Sequence, residues 1–300
     1  VWRKARCRRA RHRRLCRAMA AAPGAAAEEG PPAAAAKRLA VVTGANKGVG
    51  YYIAQQLMDA GLRVVIACRN EELARAAAKS LGAEYELLDL ADSRSIAGFA
   101  RRVAETYGHL DVLVNNAAIA FKGADPTPFA EQTGPTLRTN FYGTAELTDA
   151  LLPLLRESAV RGRRPRLVNV ASMAGRLSRL EVRLQQQFAS PALDRAGLTT
   201  LVRQFEADVQ AGQHRQRGWG SSNYGLSKLA LIAYTRLVAR EEGTAMRVNA
   251  CCPGFCDTDM SSHTGPRPPD VGARTPVLLA LLPDDGPTGA FFEDEAQSQW

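Results

Sequence analysis

Tyr224 and Lys228 stand four residues apart in Tyr224-Gly225-Leu226-Ser227-Lys228. On a helix that spacing puts both side chains on one face. A free tyrosine gives up its proton only near pH ~10, too high for easy exchange at neutral pH. A lysine ammonium a few ångströms away favours the phenolate, and so makes the phenol a usable acid and base. Alone, the pair is a weak signal, because two residue types at one helical interval recur by chance. Two further polar residues fall where such chemistry would use them. Ser172 follows the apolar run Arg166–Ala171, and its hydroxyl could hydrogen-bond a carbonyl oxygen as negative charge develops there. Asn140 lies inside a helical pattern although asparagine is a mediocre helix former. It suits a water-held proton relay, or a capping or solvated position.

A second constellation reads Val41-Val42-Thr43-Gly44-Ala45-Asn46-Lys47-Gly48-Val49-Gly50. Glycines between a strand and a helix permit a tight turn and a close backbone approach. The helix N-terminus then offers N–H groups and a positive dipole end to a pyrophosphate. In such sites an acid at the end of the second strand holds the ribose 2′-hydroxyl of NAD, whereas an arginine accommodates the 2′-phosphate of NADP. This chain has Ala67-Cys68-Arg69 and no acid before Asn70, with Lys47 as a second cation in the loop. The pattern points to NADP, with a merely solvated Arg69 as the plain alternative. Asp89, in Leu88-Asp89-Leu90, is placed either to accept from an adenine amino group or to cap the next helix.

These groups are useful only if a frame brings them together. From Leu39 onward, short apolar runs alternate with helical patterns. The strands read Leu39–Thr43, Arg63–Ala67, Tyr85–Leu88, Val112–Asn115, Arg166–Ala171, Met246–Cys251 and Gly289–Glu293. The helices read Val49–Ala60, Glu71–Leu81, Ser93–Tyr107, Thr136–Leu155, Leu198–Val209 and Tyr224–Glu241. Strands rich in Val and Leu without alternation suit a parallel sheet covered on both faces. Repeated βαβ units give an α/β, doubly wound Rossmann fold with a mostly parallel seven-stranded sheet.

Composition narrows the function classes. The chain has 300 residues, 46% of them hydrophobic, and a formal net charge of +9. Arg3, Lys4, Arg6, Arg8, Arg9, Arg11, Arg13, Arg14 and Arg17 account for that excess, so the remainder is near neutral and offers no nucleic-acid footprint. No apolar run is long enough to span a membrane. The cysteines show no Cys-x-x-Cys pair and there is no His cluster, so no metal site is expected; a reducing, intracellular setting is the simplest. Residues 1–38 read as a basic, alanine-rich non-globular extension, and residues 39–300 as one domain. The extension fits an organellar transit peptide, or a segment upstream of a start at Met19 in a cytoplasmic protein.

Thr43–Gly50, Asn115-Asn116-Ala117, Asn140, Ser172, Tyr224, Lys228 and Pro253-Gly254 occur in the order typical of short-chain dehydrogenases/reductases, which the chain resembles over about residues 39–300. Val114–Phe121, Ala124–Phe129, Gly218–Tyr224, Asn249–Gly254 and Gln299-Trp300 look like the carbonyl reductases of animals and their plant relatives. The resemblance implies NADPH-dependent reduction of aldehydes, ketones or quinones. Tyr224 would be the acid, Lys228 its tuner and ribose ligand, Ser172 the carbonyl orienter and Asn140 the relay. Gly44, Asn46, Lys47, Gly48, Val49, Gly50, Arg69, Asp89, Leu90 and Asn116 would hold the cofactor, with Pro253, Gly254 and Thr258 bordering the nicotinamide. One departure stands out: the family's Asn-Asn-Ala-Gly reads Asn115-Asn116-Ala117-Ala118, and the added methyl would crowd the cofactor.

Ser172 and Tyr224 are far apart for this family, and the segment at about 176–218 reads as a helical insertion. Leu198, Leu201, Val202, Phe205 and Val209 share one face of its helix. The insertion would cover the surface through which relatives associate, so a monomer is expected. Met173, Trp219, Phe255 and Met260 flank the chemistry, either as an apolar wall for a flat carbonyl substrate or as core. Cys251 and Cys252 read as buried, inert thiols, or as targets for electrophilic quinones. Two rival functions share these motifs: a narrow biosynthetic ketone dehydrogenase and a non-catalytic NADPH-binding protein.

Overall fold

The computed structural model describes residues 37–300. The basic stretch, with Cys7 and Cys16, lies outside the described residues apart from Lys37 and Arg38. The described chain runs β1 (Leu39–Thr43), α1 (Gly48–Asp59), β2 (Arg63–Cys68), α2 (Glu71–Leu81), β3 (Glu84–Leu87), α3 (Ser93–Tyr107), β4 (Val112–Asn115) and α4 (Phe129–Leu137). After a π-helical turn at Arg138–Gly143 come α5 (Thr144–Val160), β5 (Arg166–Val170), α6 (Val182–Ala189), α7 (Arg195–Gln210), α8 (Asn223–Glu242), β6 (Arg247–Cys252), α9 (Pro269–Gly272), α10 (Arg274–Ala280), β7 (Phe291–Glu293) and β8 (Ala296–Ser298).

The sheet order is β3-β2-β1-β4-β5-β6-β7-β8. Every pairing is parallel except β7 with β8. Period-two alternation divides the core. Val41, Val65, Leu113 and Leu167 face α3, α5 and α8 through Phe99, Leu147, Leu151 and Leu229. Val42, Ile66, Val114 and Val168 face α1, α2 and α10 through Ile53, Leu57, Ala77 and Leu279. The order reverses between β1 and β4. In open α/β sheets the crevice beyond the carboxyl ends at that point is where ligands bind.

Two expectations change. The sheet has eight strands, not seven. The chain turns back after β7 through Asp294 and Glu295, both with positive φ (49° and 62°), and β8 pairs antiparallel on β7. Positive φ at both central residues is the hairpin turn normally signalled by Asn-Gly or Asp-Gly, and Asp-Glu gives no such cue. The helix expected at Thr136–Leu155 is instead two helices around the π-turn. Gly143 sits so close to the Leu90 carbonyl that a Cβ there would collide with it, which fits the turn to the end of the β3–α3 connection.

The insertion forms α6 and α7. Leu198, Val202, Phe205 and Val209 are buried and Leu201 is partly buried against them. Arg195, at the start of α7, pairs with Asp149 of α5 at 2.5 Å and with Glu241 of α8 at 2.7 Å. Tyr142 donates to Glu206 of α7 at 2.9 Å. Among the described residues no helix is long and apolar enough to cross a membrane.

Candidate active site

A cleft of about 910 Å³ opens over the carboxyl ends of the strands. Strand order places its two ends. Arg69, Asn70 and Leu73 follow β2 on one side, and Ser172, Tyr224, Lys228 and Pro253 follow β5 and β6 on the other. Gly44, Asn46, Lys47, Gly48, Val49 and Gly50 line the middle with Asp89, Leu90 and Asn116.

The middle is shaped by side chains that fasten β1 to β4. Thr43 Oγ1 accepts from the backbone N–H of Asn116 at 3.0 Å and of Ala117 at 2.9 Å. Asn116 Nδ2 donates to the Thr43 carbonyl at 2.9 Å. The turn is pressed so closely against this bracket that a Cβ on Gly50 would meet the Gly44 carbonyl oxygen and Asn116 Nδ2. That cradle, the start of α1 behind it, and the absence of a carboxylate after β2 fit a nicotinamide dinucleotide carrying a 2′-phosphate. Arg69 is exposed at the mouth. Lys47 is not alone there: its Nζ pairs with Asp259 Oδ2 at 2.5 Å, and His263 bridges Asp259 and Asp257 at 3.0 and 2.7 Å. Lys47 holds the Asp259 carboxyl below its ordinary range, and the two carboxylates raise the His263 imidazole. Asp89 does not cap α3, since Asp92 does so by accepting from Arg94 N–H. The Asp89 carboxylate accepts from Ala91 N–H at the cleft edge.

At the far end, Ser222 caps α8 by accepting from Gly225 N–H at 2.8 Å. Asn223 ties that first turn to α4 through Thr133 Oγ1 and the Phe129 carbonyl. Tyr224 is thereby held in the opening turn, half-buried, and lines the cleft together with Ser172. Burial pushes the phenol up to about 12, Cys252 adds to that, and Ser172 pulls against it. Lys228 is only 2% exposed. Its Nζ donates to the Val170 carbonyl at 2.8 Å and lies 5.6 Å from the centre of the Tyr224 ring. Burial brings the ammonium down to about 8, against a raising influence of Cys251 and Cys252. At neutral pH the pair is therefore phenol and ammonium.

Asn140 sits in the π-turn and is fully buried. Its amide accepts from Ile119 N–H at 2.8 Å, donates to the Ile119 carbonyl at 2.9 Å, and donates to Ser227 Oγ at 3.1 Å. It couples the cleft floor to α8, one residue from Lys228. Beneath the floor runs a ladder of buried side chains. Asn115 Nδ2 donates to Thr148 Oγ1 at 2.9 Å and to Asn169 Oδ1 at 2.8 Å. Asn169 Nδ2 donates onward to Thr235 Oγ1 at 2.8 Å.

Met173, Phe255 and Met260 line the cleft and are 41%, 56% and 43% exposed. Trp219 does not join them. It is 3% exposed, packs on Phe188 and Phe205, and donates Nε1 to Asp208 Oδ2 at 2.7 Å. A buried indole N–H needs a partner, and the carboxylate on α7 supplies one inside the insertion. Gly254 and Thr258 line the mouth beside Pro253. Ala118 lines the cleft with an ordinary backbone φ, so its methyl introduces no left-handed strain. Cys251 is fully buried and raised by burial, the state of an inert thiol. Sequence reasoning missed Leu73 and Asn70 at the adenine end, and the Asp257–His263 strap. Only the end of β2 gave a cue to the former.

The fold and this site place the protein in a class: the chain belongs to the short-chain dehydrogenase family. Residues 38–183 match the family described as short chain dehydrogenase, and residues 207–276 match one described as Enoyl-(Acyl carrier protein) reductase. Among curated proteins, carbonyl reductase [NADPH] 1 of Sus scrofa is 41% identical over 88% of this chain and 94% of its own length. The Homo sapiens protein of that name is 40% identical over 87% and 98%. Among solved structures, salutaridine reductase from Papaver somniferum superposes with a TM-score of 0.78 at 30% identity, covering 86% of this chain and 100% of that one. Menthone neomenthol reductase from Mentha piperita gives 0.72 at 31% identity, covering 87% and 99%.

Proposed function

We propose that this protein is an NADPH-dependent carbonyl reductase, taking aldehydes, ketones or quinones to alcohols or hydroquinones. The observation that carries the reading is the joint placement of Ser172, Tyr224 and Lys228 at the end of a dinucleotide cleft that lacks an acid after β2. The reduced nicotinamide, when bound, supplies a hydride to the carbonyl carbon. The cradle of Gly44–Gly50, Asp89, Leu90 and Asn116 would hold the nucleotide, Arg69 and Lys47 its 2′-phosphate, and Pro253, Gly254 and Thr258 would border the nicotinamide.

The chain's own residues then handle the proton. Ser172 Oγ orients the carbonyl oxygen and shares its growing negative charge. Tyr224, protonated at neutral pH, delivers its phenolic proton to that oxygen. The Lys228 ammonium, fixed by the Val170 carbonyl, stabilises the phenolate left behind. Asn140, bonded to Ile119 and Ser227, would steady the floor beside Lys228, where the relay role is proposed for it. Met173, Phe255 and Met260 present an exposed apolar wall suited to a flat substrate.

Purified residues 19–300 should oxidise NADPH with menadione, an aromatic aldehyde or a cyclic ketone, and NADH only weakly. Tyr224→Phe should lower turnover ~10²–10⁴-fold while still binding NADPH. Tight NADPH binding without turnover across that panel would overturn the reading in favour of a binding protein. The likeness to salutaridine reductase and menthone neomenthol reductase favours a second reading, a narrow biosynthetic ketone dehydrogenase. Activity confined to one cyclic ketone would select it.

A monomer is part of the proposal, because α6 and α7 pack on α8 and Arg195 of α7 pairs with Asp149 of α5; a dimer peak in light scattering would sink it. A cytoplasmic protein with residues 1–38 as an extension completes it. Mass spectrometry of the native N-terminus separates a transit peptide from a start at Met19.

A further inference from the structure

The hairpin at the edge of the sheet is tied to the turn that carries Ser172. Trp300, just beyond β8, donates its indole N–H to the Gly175 carbonyl at 2.9 Å. Its ring lies under the Arg236 guanidinium, 5.2 Å from carbon to ring centre. It also packs on the small cluster that contains Ala171, Ile232 and Cys252. The next residue, Arg176, donates to Glu293 of β7 and to Ser298 Oγ of β8. Two consecutive residues of one turn are thus held by three side chains from the end of the sheet.

That turn has little freedom on its other side. Gly175 is buried, and a Cβ there would lie 2.6 Å from both the Leu229 nitrogen and the Lys228 carbonyl carbon. The turn Met173–Gly175 is therefore seated directly on α8 at Lys228. Its N-cap is Ser172, which accepts from Ala174 N–H at 3.1 Å, while its carbonyl accepts from Gly175 N–H at 2.9 Å. Any shift of Gly175 is a shift of the Ser172 hydroxyl relative to Tyr224.

We infer that Trp300 is a positioning residue. Its indole N–H, acting through the Gly175 carbonyl, fixes the Ser172 hydroxyl against the Tyr224–Lys228 face of α8, and so sets which face of a ketone is presented for reduction. The inference rests on the carbonyl-reductase reading above. Its test therefore includes a measurement that needs no turnover.

Trp300→Phe keeps a ring under Arg236 and removes the donor. Losing one net hydrogen bond from the turn should lower kcat about three- to ten-fold on a prochiral aryl ketone. KM for NADPH should stay unchanged and the enantiomeric ratio should erode. A merely structural role would lower the yield of folded enzyme and leave that ratio alone. Independently of activity, hydrogen exchange should speed up at Ser172–Arg176 and not in α1 or β1. Wild-type kcat and selectivity with unchanged exchange would overturn the inference, as would faster exchange spread evenly over the fold. If the wild-type protein reduces none of the panel, the function reading fails, and the local exchange result still decides whether Trp300 holds the turn.

Discussion

Replacing Lys228 by methionine should stabilise this protein while abolishing its chemistry. Lys228 is nearly solvent-free, and burial lowers its ammonium from an ordinary 10.5 to about 8. Holding that charge in the folded state at pH 7 costs roughly 3 kcal/mol. Methionine fills a similar volume without a charge. The variant forfeits the bond to the Val170 carbonyl, which offsets about 1 kcal/mol. The net gain is about 2 kcal/mol, a rise in Tm of roughly 4–8 °C for a body of this size.

The sign of the pH dependence follows from the same shift. Between about pH 8 and 10.5 the unfolded chain keeps a lysine proton that the folded chain has lost. Wild-type stability therefore rises with pH across that window, and the variant's advantage should vanish above it. Tyr224 works in the opposite sense: raised by burial to about 12, it weakens the fold as pH climbs from 10. It does so in both proteins and cancels in their difference. Urea unfolding of the pair at pH 7, 9 and 10 reads the effect. A variant less stable than wild type at pH 7, or a gap that stays flat with pH, would refute the reasoning.

The other predictions concern the cofactor cleft. A Cβ on Gly50 would stand 2.5 Å from a backbone oxygen, whereas one on Gly48 would stand 3.4 Å from a movable Thr258 methyl but at a φ of +58°. Gly50→Ala should cost about 2–4 kcal/mol and cripple NADPH and NADH binding alike. Gly48→Ala should cost only about 1–2 kcal/mol, and calorimetry showing the reverse order would contradict the cradle described above. Asp259→Asn releases Lys47 from its surface pair, so NADPH should bind a few-fold more tightly at low salt, with NADH unmoved and the gain lost at high salt. Equal gains for both nucleotides in fluorescence titrations would remove Lys47 from the 2′-phosphate site. Ala118→Gly should leave the melting temperature nearly unchanged, since Ala118 has no left-handed backbone to relieve; a large rise would show that its methyl is strained.

Much of this architecture is legible in the chain. Apolar runs without alternation mark the buried parallel strands, because strands covered on both faces have no polar side to show. Gly44, Gly48, Gly50, Asn116, Ser172, Tyr224 and Lys228, picked out by their order in the chain, all line one cleft. What stayed hidden depends on distant partners. Trp219, five residues before Tyr224, looks like part of the site until Asp208 on another helix claims its indole. The hairpin at Asp294-Glu295 lacks the residues that usually announce it. The Lys47–Asp259 pair joins residues 212 positions apart, which no local pattern encodes.

The polar ladder under the cleft also bears on how the sheet is assembled. Strands buried on both faces can slide along one another with little penalty, since nearly every position is apolar either way. Asn115 and Asn169 are direct neighbours in the β4–β5 register and are bonded to each other and to threonines on α5 and α8. A slip of one residue would part the two asparagine amides from these partners in a dry interior, each at a cost of about 1–3 kcal/mol, while the threonine hydroxyls keep their bonds to Thr144 and Leu231. The ladder thus acts as an alignment key, making one pairing of the central strands decisively better than its neighbours. The key lies at the carboxyl ends of β4 and β5, one residue before Asn116 and three before Ser172.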